Sequence, residues 1–134
     1  MEKQLKIGFF RYKIVRRRRV KRKATGTLAY KKHKEAARGL VHAQLAHYNE
    51  HYGLKWGRVS IKNTRSRWGS CSKKGNLNFS YKLALVPPEL ADYVVVHELC
   101  HLAEFNHGPN FWKLVAETIP DYERRREALK NMKL

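Results

Sequence analysis

The sequence predicts an α+β domain in which a small antiparallel sheet packs on helices, and three observations carry that reading. A chain of 134 residues with 43% hydrophobic residues can bury one modest core and is too short for two ordinary domains. Apolar residues recur at three- and four-residue spacing over about residues 28–52 and 88–102, the period of a helix lying on a core. Between them Leu77, Phe79, Tyr81 and Leu83 alternate with Asn78, Ser80 and Lys82, the period of a half-buried strand.

The chain divides into a basic arm, residues 1–26, and a folded domain, residues 27–134. Its formal charge of +18 is concentrated early: residues 1–38 carry 15 Lys and Arg against 2 Glu, the other 96 carry 14 against 9 acids. Arg16, Arg17, Arg18, Arg19, Lys21, Arg22 and Lys23 are candidates for contacting the phosphates of a nucleic acid, a contact that needs charge and not sequence. The stretch 7–23 is an extended arm or a short strand. No run approaches the ~18 apolar residues of a membrane span. The apolar stretch Ile7 to Phe10 is too short for a secretory signal, so a cytoplasmic protein without a membrane partner is expected.

Within the first helical stretch Ala36, Ala37, Leu40, Val41, Gln44, Leu45 and Tyr48 keep the helical period. Thr25-Gly26 precede it as a break and Gly53 suits its C′ position. Lys31, Lys32, Lys34 and Arg38 load its first turns with charge that opposes the helix dipole, which suits an anionic partner. Residues 58–64 and 76–83 are expected to pair as an antiparallel hairpin, with 65–71 continuing the first strand and 72–75 as the turn. Pro87-Pro88-Glu89 then opens a helix, since proline fits the first turn and glutamate the positive end of the dipole. Two further helices follow, around Phe111 to Val115 and after Pro120. Cys71 and Cys100 form no CxxC pair, and reduced, buried thiols are expected.

The helix opened by Pro88 carries His97-Glu98-Leu99-Cys100-His101. Residues four apart share a helix face, so His97 and His101 can address one ion, while Glu98 lies beside them where a general base belongs. This is the half-site of a zinc hydrolase. A catalytic zinc takes three protein ligands and keeps a fourth position open. His107 is the best third ligand: six residues beyond His101 it is off the ligand face of a continuous helix, so the helix must end first, and Asn106 in a left-handed conformation followed by Gly108-Pro109 would end it. Glu104, Glu117 and Glu123 are the alternatives. His33, His42, His47 and His51 lack a neighbouring acid in the motif position and are read as surface residues.

These segments stand together in a recognisable order. The run TRSRWGSCS at 64–72, Asn76-Leu77-Asn78-Phe79, Pro87-Pro88, YVVVHELCH at 93–101 and NHGPNFW at 106–112 closely resemble the YgjP-like metallopeptidases, relatives of the SprT-like zinc peptidases, over about residues 28–119. The resemblance implies a zincin-like minimal metallopeptidase fold, one Zn2+ per chain on His97, His101 and His107, and Glu98 as catalytic acid/base. Family members usually have a longer, strand-rich N-terminal region, and a shorter one leaves a more open cleft. Since SprT-like relatives act on proteins attached to DNA, a peptidase recruited to nucleic acid is also implied.

The expected reaction is peptide hydrolysis, with Glu98 moving a proton from water to the leaving amine. Strand 76–83 is expected to be the edge that aligns an extended peptide, with Asn78, Ser80 and Arg67 as substrate contacts. Arg67 and Tyr81 are both open as oxyanion partners, and Trp68 and Trp112 are expected to pack. The alternative is a nucleic-acid-binding module whose zinc is structural or serves non-peptide hydrolysis.

Overall fold

The computed structural model describes residues 9–11 and 22–132. The chain runs through strand β1 (Phe9–Arg11), helix α1 (Arg22–Tyr52), strands β2 (Val59–Lys62), β3 (Arg67–Cys71) and β4 (Leu77–Ser80), a 3-10 helix (Tyr81–Leu85), and helices α2 (Pro88–Cys100), α3 (Pro109–Ala116) and α4 (Tyr122–Lys130). The α+β class follows as expected. Of the basic arm, residues 16–19 and 21 lie outside the described residues, while Arg22 and Lys23 open α1.

Helix α1 begins at Arg22 and runs straight through Thr25-Gly26, where a break was expected. One glycine inside a helix costs only about 1 kcal/mol, less than the packing of the turns that follow returns. Ala37, Val41 and Leu45, four apart, are fully buried and form the stripe that meets the core. At the other end Gly53 adopts φ +62 and its N–H donates to the Asn49 carbonyl at 2.8 Å, the C′ role assigned to it. On the core side, the Asp92 carboxylate of α2 accepts from Gln44 at 2.8 Å and Tyr48 at 3.0 Å, a polar clamp between the two long helices.

The four strands form one sheet in the order β1-β3-β4-β2. The hairpin is β3–β4, not 58–64 with 76–83 as expected. Its turn is closed by Gly75 N–H to Ser72 carbonyl at 2.9 Å, with Gly75 at φ +87 supplying the left-handed residue. The chain turns at residues 63–66, which frees β3 as a strand of its own and leaves β2 to pair parallel to β4, Val59 opposite Leu77 through Lys62 opposite Ser80. The sheet is therefore mixed, and β4 lies inside it with both edges paired, so it offers no free edge to a peptide. The strand also ends sooner than its alternation suggested: the Ser80 hydroxyl accepts from the Lys82 N–H at 3.0 Å and starts the 3-10 helix that carries Tyr81 and Leu83 into the core. β1, the short-strand option for residues 7–23, pairs antiparallel on the outer edge of β3, with Phe10 opposite Gly69.

Helix α2 is the centre of the molecule. From Leu90 to Cys100 every residue but Asp92 is buried, so it has no solvent face. Sheet, α1, α3 and α4 all pack on it. Cys71 and Cys100 are free and buried, and burial pushes both thiols up to about 12. Among the described residues no helix is long and apolar enough to cross a membrane.

Candidate metal centre

Three imidazoles converge at the C-terminal end of α2. His97 and His101, one turn apart, are buried at 2% and 1% exposure, and the half-buried His107 comes back to them. The His107 Nε2 atom lies 2.9 Å from His101 Nε2 and 3.1 Å from His97 Nε2. Among the described residues this is the cluster able to hold a metal ion. Glu104 contributes no carboxylate to it, and Glu117 instead pairs with the exposed His51 at 2.9 Å.

The return of His107 uses a different device from the one expected. Among the described residues none other than glycine has positive φ, so Asn106 is not left-handed. The helix instead ends at Cys100 and closes in a turn, with Ala103 N–H and Glu104 N–H both donating to the Cys100 carbonyl at 3.0 and 2.9 Å. Gly108 is extended at φ −93, ψ −174 and Pro109 opens α3, which anchors the far side of the loop through the buried Phe111. The sequence contains the break, but it comes several residues before Asn106.

The rings are held so that their Nε2 lone pairs face one point. The His101 Nδ1–H donates to the Glu104 carbonyl at 3.1 Å, which fixes the tautomer and leaves Nε2 unprotonated. On His97, Nδ1 faces the buried Tyr93 hydroxyl at 3.5 Å. His107 stacks on Trp112 with ring centroids 5.8 Å apart, Trp112 stacks on Tyr122 at 4.9 Å, and the Arg126 guanidinium lies 5.3 Å from the Trp112 ring. Phe111 lies against all three imidazoles, stacked on His101 at 4.4 Å. Burial, with the neighbouring imidazoles, holds the His97 pKa well below its ordinary value and lowers His101 to about 4. Three ring nitrogens brought this close favour a cation between them. The donor set therefore fits a divalent metal that accepts nitrogen ligands.

Glu98 is fully buried, and among the described residues neither carboxylate oxygen has a hydrogen-bond partner. Burial raises its pKa well above the ordinary value. An orphaned buried carboxylate is costly in a fold and is a mark of a site that acts on something brought to it. Space for it comes from Gly69 of β3: a Cβ there would stand 3.0 Å from Glu98 Cγ and 3.1 Å from the Asn78 carbonyl oxygen. Sequence reasoning placed the three histidines and Glu98 but missed Gly69, Tyr93 and the Trp112–Tyr122 stack.

The three expected substrate contacts, Asn78, Ser80 and Arg67, lie together. Since the Cα of Gly69 faces Glu98, alternation turns Ser70 to the other face of the sheet, and Asn78, whose amide donates to Ser70 Oγ at 3.2 Å, shares that face with Ser80. Arg67 joins Asn78 and Ser80 in lining one cavity. Trp68 is buried at 7% exposure, the packing role expected of it.

The buried imidazoles make the metal-free protein acid-sensitive with a definite sign. The unfolded chain protonates His101 near 6.5, while the folded chain resists protonation until about 4, so stability is lost as pH falls through that window. Glu98, with its raised pKa, acts in the opposite sense, and a comparison of melting temperature against pH for the wild type and His101→Gln isolates the imidazole. The variant should show a shallower fall between pH 6.5 and 4. Parallel curves would contradict the assignment.

Comparison with known proteins bears on the same residues. No curated protein matches the chain. The crystal structure of the metallopeptidase zymogen abylysin of Pyrococcus abyssi superimposes with a TM-score of 0.60 at 22% identity, covering 66% of this chain and 90% of that one, which shows a shared fold. The model of the YgjP-like metallopeptidase domain matches residues 3–132, from β1 through the histidine cluster to the end of α4. With a match of that extent, the chain belongs to the YgjP-like metallopeptidase family.

Proposed function

We propose that the protein is a zinc-dependent peptidase in which His97, His101 and His107 hold one Zn2+ and Glu98 is the catalytic acid/base. The observation that carries the reading is the orphaned Glu98 carboxylate beside three converging Nε2 atoms. A structural zinc is closed by four protein ligands, whereas here three histidines converge among the described residues and a general base stands next to them. When bound, the metal supplies Lewis acidity that activates water and polarises the scissile carbonyl.

The protein's own groups do the rest. Glu98 takes the proton of the attacking water and delivers it to the leaving amine, and its raised pKa brings it closer to the operating pH, where both transfers are efficient. Tyr93 and the Glu104 carbonyl keep the His97 and His101 rings aimed. An extended peptide that reaches Glu98 runs along the outer edge of β3, the strand whose Gly69 lies against that carboxylate. β1 occupies this edge, held by three residues whose register shifts between Phe10 and Arg11, so substrate takes the place of β1. The basic N-terminal region and the exposed Lys31 and Lys32 of α1 support recruitment to nucleic acid, a location for the reaction and not part of its chemistry.

Purified protein should contain about one zinc per chain, a content sharply reduced in His107→Ala; Glu98→Gln should keep the metal while degradation of an unfolded protein substrate falls roughly 10²- to 10⁴-fold. Equal cleavage by wild type and Glu98→Gln would sink the reading. Gly69→Ala should retain zinc yet lose most activity, because the added methyl displaces Glu98; full activity in this variant would show that the contact is unimportant. Removal of residues 1–11 should raise the cleavage rate, and a fall in rate would mean that β1 supports the site instead of competing for it.

A further inference from the structure

The sheet carries a second cavity wall that the peptidase chemistry does not use. A cavity of about 270 Å3 is lined by Lys62, Thr64, Arg67, Ser70, Asn78 and Ser80, together with Gly69 and Phe79. Among the described residues no acidic one lines it. Ser70, Asn78 and Ser80 belong to the sheet face opposite Glu98, so a ligand held by their side chains is not the peptide at the histidines.

Accounting for hydrogens defines what this wall wants. Ser80 Oγ accepts from the Lys82 N–H at 3.0 Å, which leaves its own O–H to donate. Ser70 Oγ accepts from the Asn78 amide at 3.2 Å, which likewise leaves an O–H, and Asn78 keeps a second N–H. Thr64 spends its hydroxyl on the Arg67 carbonyl at 2.8 Å and so fixes the loop that presents Arg67. Both serines are nearly closed to solvent, at 8% and 1% exposure, so the hydroxyls are pre-oriented and their donors are poorly served by bulk water. Two hydroxyl donors, an amide donor and two cations, Lys62 and Arg67, suit a tetrahedral oxyanion. Drug-sized ligands occupy roughly 300–1,000 Å3, so this volume selects a small group.

We propose that this cavity is a binding site for a phosphate group, separate from the metal centre. The group comes either free, as inorganic phosphate, or as one phosphate of a nucleic-acid strand. The chain's net charge of +18 brings either to the surface by long-range attraction.

The test uses the full nitrogen-15-labelled chain, wild type and Lys62→Ala, titrated with inorganic phosphate and separately with a short oligothymidylate while amide NMR shifts are followed. Lys62 is exposed, so its truncation leaves the fold intact. Phosphate should saturate with shifts centred on residues 62–64, 67–70 and 78–80, and Lys62→Ala should weaken it about tenfold, the effect of one charge-assisted hydrogen bond. If the natural source is a nucleic acid, the oligonucleotide shifts the same amides, weakens equally in the variant and is displaced by phosphate. If the source is free phosphate, the oligonucleotide leaves these amides unmoved. Absence of saturable phosphate binding at these amides, or equal affinity of wild type and Lys62→Ala, overturns the proposal.

Discussion

A carboxylate buried without a hydrogen-bond partner is the constraint around which this small protein is arranged. Burying an ionised group without compensation is unfavourable, and the burial of Glu98 accordingly raises its pKa well above the ordinary carboxylate value. The fold tolerates it because α2 is enclosed on every side by apolar contacts from the sheet and three helices. The same enclosure lowers the basicity of His97 and His101, so one packing decision yields a proton acceptor with raised pKa beside imidazoles that stay neutral. Opposite shifts in neighbouring groups arise from a single cause, low polarity.

Enclosure also explains why the third histidine arrives by a loop and not by the helix. A longer α2 would carry its following residues off the ligand face, and the chain has to leave the core to return. The turn over residues 101–104 does both tasks at once, because Glu104, whose N–H donates to the Cys100 carbonyl at the helix end, also accepts the His101 Nδ1–H on its own carbonyl. α3 then supplies Phe111 and Trp112 against the histidine rings, and α4 supplies Tyr122 behind Trp112. The half-buried His107 is thereby braced by a ladder of rings from the last two helices. These helices, remote in sequence from the HELCH motif, belong to the site.

How much of this was legible in the sequence depended on whether a feature is local. The HELCH helix, the Pro87-Pro88 start, the Gly53 stop, the 72–75 turn and the need for His107 are set by residues within a few positions, and the structure contains all of them. Strand order was not legible, because alternation in residues 76–83 says which residues face the core and nothing about which neighbour supplies hydrogen bonds. Hence the parallel β2–β4 pair and the interior position of β4 went unseen. The extent of α1 was misread for a related reason: Gly26 is a weak helix breaker locally, and tertiary packing decides. Gly69 carries no side chain to signal anything, and its meaning exists only once Glu98 is packed against it.

β3 joins the two faces of the sheet in adjacent residues. Gly69 leaves room for Glu98 on one side, and Ser70 presents a hydroxyl on the other. A slip of one residue in register would exchange them, driving the Ser70 side chain into the carboxylate and removing a donor from the cavity. Register is therefore specified twice, once by the buried acid and once by the pairing of Ser70 with Asn78. The turn that sets it is short and depends on Gly75 at φ +87, so the geometry beside Glu98 is fixed from a loop that touches no part of the metal centre. A carboxylate held this way needs no hydrogen bond of its own for orientation. Its position is imposed by backbone packed against it, and its oxygens are left for whatever reaches the three histidines.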